Sequence, residues 1–115
     1  MNYNNRIFRA VSNDEHGAVD DSVRFHYRQK GNLLSATYQG GTIREGHLLG
    51  TVAEDGSLHF LYHQVHQDGT LHSGECWSKP EELADGRLRM HETWQWTNGQ
   101  AGKSVLEEVI EESGG

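Results

Sequence analysis

The chain has 115 residues, ten of them basic and seventeen acidic, for a formal charge of −7. That length supports one domain with one core, and the acidic balance disfavours a nucleic-acid duplex or an anionic membrane surface, since both demand clustered Lys and Arg. Apolar residues make up only 34%, so the core must be thin or partly polar, which suits a closed barrel lined with rings and hydrogen-bonding groups.

A first strand is expected from Asn5 to Val11, followed by a polar loop from Ser12 to Asp21. The second, Ser22 to Lys30, alternates Val23, Phe25 and Tyr27 with Arg24, His26 and Arg28, the cleanest period-two pattern in the chain. The third, Leu33 to Gln39, sets Leu34, Ala36 and Tyr38 against Leu33, Ser35 and Thr37. The fourth, Thr42 to Ala53, carries Gly46 and Gly50 on one face, where glycine marks a bend or the close approach of another group.

The fifth strand, Ser57 to His66, places Leu58, Phe60, Tyr62 and Gln64 together, with His59, Leu61, His63 and Val65 opposite. The sixth, Thr70 to Ser78, is read with Leu71, Ser73, Glu75 and Trp77 inward, and Pro80 is expected to end its ladder for want of an N–H. The seventh, Arg87 to Trp96, groups Leu88, Met90, Glu92, Trp94 and Trp96. The eighth is Lys103 to about Glu111, with a short helix as the alternative, and the tail Ser113 to Gly115 is expected to fray.

Between these runs stand Lys30-Gly31-Asn32, Gly40-Gly41, Asp55-Gly56, Asp68-Gly69, Asp85-Gly86 and Asn98-Gly99. Asp-Gly and Asn-Gly accept positive φ, and so predict tight primed turns between antiparallel neighbours. An even strand count lets such a string of hairpins close and lose its edges. The fold expected over residues 1–115 is all-β, an eight-stranded antiparallel up-and-down β-barrel forming a single domain.

A lone cysteine, Cys76, has no intrachain disulfide partner and reads as a small apolar strand residue. No cationic segment followed by an apolar run opens the chain, and no apolar stretch nears the roughly 20 residues needed to span a bilayer. Cytoplasmic residence is the resulting expectation. The densest histidine cluster is His59, His63 and His66, but in a strand His59 and His63 lie about 13 Å apart and His66 faces the other way. No metal and no cofactor are implied. The imidazoles are expected on an outer wall which, with Leu61, Val65 and Val105, offers a surface for a homo-oligomer.

The stretch Tyr38-Gln39-Gly40-Gly41-Thr42-Ile43 with Gly46-His47-Leu48-Leu49-Gly50, the run Tyr62-His63-Gln64, and His91-Glu92-Thr93-Trp94-Gln95-Trp96 resemble a family of small bacterial proteins. That family is grouped with avidin-like or calycin-like β-barrels and often carries the label N-acetylglutamate synthase. The resemblance implies an eight-stranded barrel with a ligand pocket in its mouth, although no biotin-binding motif matches position by position. An acetyl-CoA-dependent acyltransferase needs a strand-to-helix turn of backbone N–H groups for a pyrophosphate. Gly40-Gly41 instead joins two strands, so synthase activity is not expected.

In a barrel, alternate side chains converge on the axis. The candidate ligand-binding set is therefore Tyr27, Tyr38, Tyr62, Gln64, Glu75, Trp77, Glu92 and Trp94, with rings as walls and Glu75, Glu92 and Gln64 orienting a small molecule. Two alternatives stay open. The interior is filled by its own side chains, leaving a structural oligomer, or Glu75 and Glu92 face each other and act as acid and base, one with a raised pKa.

Overall fold

The structure, a computed structural model, describes residues 2–13 and 21–110. The strands are β1 (Arg6–Asn13), β2 (Arg24–Lys30), β3 (Leu33–Gly40), β4 (Ile43–Val52), β5 (Leu58–His66), β6 (Leu71–Glu82), β7 (Leu88–Trp96) and β8 (Ala101–Glu108). Each pairs antiparallel with its chain neighbours, and β1 closes on β8. The expected up-and-down barrel is thus the observed one.

Differences lie at the strand ends. Ser12 and Asn13 belong to β1, where the register shifts between Ala10 and Ser12. β8 ends at Glu108, short of the expected Glu111, while most of the expected loop and the tail Ser113 to Gly115 fall outside the described residues. Val105 and Leu106 lie in strand β8, so the helical alternative is excluded. Pro80 does not end β6, which runs on to Glu82 with Pro80 opposite Met90. Pairing with β5 stops at Ser78, so residues 79–82 form a one-sided margin where a missing N–H is tolerated.

The turns also differ from expectation. Gly56, Gly69, Gly86 and Gly99 have φ of 87, 84, 89 and 95°, while Asn5 is the one described non-glycine residue with positive φ. Asp55, Asp68, Asp85 and Asn98 therefore lack the positive φ that a type I′ turn requires. In each loop the glycine N–H donates to the carbonyl three residues back, that of Ala53, His66, Leu83 or Trp96. The Asp or Asn side chain accepts from the N–H two residues on. This is a type I turn closed by a left-handed glycine, the usual three-residue hairpin loop. Gly31, at φ 61°, is the first central residue between the paired Lys30 and Leu33, the primed position.

The two ends of the barrel are unlike. At the end bearing the turns at 31–32, 54–56 and 84–86, the segment before β1 folds inward. Tyr3 is fully buried, its hydroxyl donates to the Gly56 carbonyl at 2.5 Å, and its ring packs near Tyr27. Phe8, Tyr27, Leu34, Met90 and Leu106 seal the core there. At the opposite end Tyr62, His66, His72 and Trp96 are only half-buried. Among the described residues no helix is long and apolar enough to cross a membrane.

Candidate ligand-binding site

The inner face is built by alternation. Phe25 and Tyr27 of β2, Tyr38 of β3, Phe60, Tyr62 and Gln64 of β5, and Glu92 and Trp94 of β7 point toward the axis, as their burial patterns show. Six of the eight candidate residues therefore converge. Tyr38 and Tyr62 sit over glycines: a Cβ at Gly46 would overlap the Tyr38 ring, and one at Gly74 would overlap the Tyr62 hydroxyl end and the Gln95 carbonyl. The strand glycines thus give rings room to cross the barrel.

Glu75 and Trp77 are the exceptions. Both lie on the outer wall, Trp77 at 43% exposure, where its ring stacks on His59 at 5.4 Å and 9° and His59 Nε2 donates to Glu75 Oε2 at 2.5 Å. The inward residues of β6 are instead Gly74, Cys76 and Ser78. The cause is volume: Tyr62 lies directly across from Gly74, while Phe60 and Trp94 flank Cys76, so the axis beside β6 is already occupied and takes only small side chains. Glu75 and Glu92 stand on opposite faces of one sheet, so the alternative in which they face each other as acid and base does not arise.

The polar groups on the axis form short relays. Tyr38 Oη donates to Gln64 Oε1 at 2.9 Å, and Gln64 Nε2 donates to His66 Nε2 at 2.7 Å. His66 is thereby fixed with its proton on Nδ1, and burial, then the neighbouring His72, hold its pKa below the ordinary value. The His66 and His72 rings lie 4.1 Å apart, His72 meets Trp96 at 5.9 Å, and Trp96 meets Tyr62 and Trp94 at 5.1 and 6.1 Å. Thr70 donates its hydroxyl to Asp68, so it accepts from His72 Nε2.

Deeper in the barrel, Trp94 Nε1 donates to Ser104 Oγ at 3.0 Å and Ser104 Oγ donates to Glu92 Oε1 at 3.2 Å. The Cys76 thiol also bonds Glu92. Burial pushes the Glu92 carboxyl up to about 7, because these bonds only partly offset the loss of water. Burial, reinforced by Glu92, likewise raises Cys76 and Tyr27 well above their ordinary values. Tyr27 Oη and Ser78 Oγ are buried with no hydrogen-bond partner.

Sequence reasoning thus found most of the site but missed His66, His72, Cys76, Ser78 and Ser104. Trp96 was read as inward but not placed among the site residues. Among the described residues no group of three His, Cys, Asp or Glu side chains is arranged to hold a metal.

Fold and interior together define a closed up-and-down barrel with one plugged end and one aromatic, histidine-bearing end. A family described as Avidin-like protein matches residues 1–109, and the chain belongs to that family. No curated protein matches it.

Proposed function

We propose that this protein is a binding module that takes a small molecule into its interior from the half-open end. The observation that supports the reading is the asymmetry along the axis. Tyr62, His66, His72 and Trp96 are half-buried at one end, beside the sealed Val23 and Ile43, whereas Tyr3, Phe8, Tyr27 and Met90 toward the other keep no accessible surface. The ligand would pass Trp96, His66 and His72, lie against Tyr62, Trp94 and Tyr38, and meet Gln64 and Glu92 as hydrogen-bonding groups. Mostly ring-lined walls with a few placed polar groups are the usual make-up of such sites. The test is native mass spectrometry of protein purified from its own host, with Trp94→Ala alongside. A bound small molecule lost in the variant supports the reading, and a ligand retained by Trp94→Ala refutes it.

A second reading concerns the outer wall. Leu49 and Leu61 are direct cross-strand partners with 58 and 61% exposure, and Leu71 beyond them is 78% exposed. Leu49 and Leu61 both line a recess spanning β2 to β7. We read this wall as the face on which copies associate, since clustered exposed aliphatics mark interaction surfaces. Light scattering behind size exclusion tests it, with Leu61→Glu expected to lower the mass to that of a monomer.

A further inference from the structure

We infer that the interior selects a small organic cation, an ammonium or protonated amine attached to an apolar body, with Glu92 as its partner. The inference rests on the interior being the ligand site and adds the chemistry of the occupant.

Charge comes first. All ten lysines and arginines lie among the described residues and none is buried. Arg24, Arg28, Arg89 and Lys103 project from the outer wall. Glu92 is the one buried acid among the described residues, and no cation faces it. A ligand carboxylate or phosphate would meet no countercharge inside and would sit beside an acid. A ligand cation would supply the missing partner, and a chain of net charge −7 draws cations toward it.

Hydrogen-bonding capacity admits the same ligand. Trp94 donates its N–H to Ser104, Ser104 O–H and the Cys76 thiol donate to Glu92, Tyr38 O–H to Gln64, and the Gln64 amide to His66. Ser78 lies directly opposite Glu92 across β6 and β7, and its hydroxyl and that of Tyr27 are buried and unpartnered, each able to accept as well as donate. A primary ammonium brings three donors that these oxygens and the carboxylate can accept. Phe25, Tyr38, Phe60, Tyr62 and Trp94 face the same axis, and ring faces attract cations most strongly away from water.

Titration links charge to binding. Burial raises the Glu92 carboxyl to about 7, and a bound cation favours its ionised form, so cation binding expels a proton. Cys76, Tyr27, Tyr38 and Tyr62 also face the axis, but burial keeps them protonated near neutrality. His66 and His72 also stand near the path, at the half-open end.

The experiment is calorimetric titration of the intact chain at pH 7 with 2-phenylethylammonium, 2-phenylethanol and phenylacetate, in buffers of different ionisation enthalpy. The expected ranking is ammonium over alcohol over carboxylate, with net proton release accompanying ammonium binding. Glu92→Gln should weaken ammonium roughly ten- to hundredfold and abolish proton release. Alcohol and ammonium binding equally, or carboxylate binding best, overturns the cation inference and leaves the interior site standing. No heat from any of the three overturns the interior site and this inference with it. Should Glu92→Gln fail to fold, the ranking and proton count on the unmodified protein decide alone.

Discussion

Glu92 makes the stability of this barrel depend on pH in a direction opposite to that of most carboxylates. Its pKa stands at about 7 in the folded state against 4.5 when solvated, so the folded chain holds a proton that the unfolded chain has released. Stability from this source is complete below about pH 4.5, declines as pH rises, and is lost above about pH 7. A shift of that size corresponds to about 3 kcal/mol, a large share of what holds a small domain together. The perturbation is Glu92→Gln, which keeps shape and the acceptor for Ser104 but cannot ionise. Urea denaturation followed by tryptophan fluorescence at pH 4.5 and 8 gives the unfolding free energy of each protein. Other titrations, that of His66 included, occur in both and cancel in the difference. That difference should move in favour of the variant by about 3 kcal/mol between the two pH values. A difference constant to within about 0.5 kcal/mol would show that Glu92 is ionised and solvated in the folded barrel, and the account of the interior would fail with it.

Four further outcomes follow from the geometry. Trp77→Ala should cost under about 1 kcal/mol in chemical denaturation and Trp94→Ala about 3 to 5; equal costs would contradict their placement on opposite faces. Gly74→Ala drives a methyl group into the Tyr62 hydroxyl and the Gln95 carbonyl and should lower stability by about 1 to 3 kcal/mol, whereas an unchanged denaturation midpoint would mean that Tyr62 does not cross over Gly74. Tyr3→Phe leaves the Gly56 carbonyl without its buried donor and should cost about 1 to 2 kcal/mol, read from the same curves. Cys76, buried and held protonated, should resist a thiol reagent such as DTNB until the barrel unfolds; labelling at the rate of free cysteine would refute its inward position.

The barrel was legible because period-two alternation and glycine-bearing turns survive in the local sequence. Phe25 and Tyr27, Tyr38, Phe60 and Tyr62, and Glu92 and Trp94 all face where alternation sends them. β6 was misread because its more apolar phase, Leu71 and Trp77, is the outward one, and its inward phase is small: Gly74, Cys76 and Ser78. Apolarity marks a core face only while neighbouring strands leave room, and Tyr62 and Trp94 leave little. The loops held the missing information. In the hairpin closed by Asp68-Gly69 the cross-strand partners are Tyr62 with Gly74 and Phe60 with Cys76, and in that closed by Asp85-Gly86 they are Cys76 with Trp94. Opposed residues share a face, so a three-residue loop keeps even-numbered residues facing even-numbered ones. Reading these turns as three-residue loops would have turned Trp77 and Glu75 outward. The Tyr38–Gln64–His66 relay was beyond local pattern, since it joins strands β3 and β5 across the axis.

Closure of β1 on β8 also governs how the chain can be made. Every other strand finds its partner within one hairpin, but the free margin of β1 stays bare until residues 101–108 have left the ribosome. Until then the nascent protein is an open ribbon with two unsatisfied rims, ready to add a strand from any neighbouring copy. Shortened chains that stop before β8 should therefore collect in the insoluble fraction.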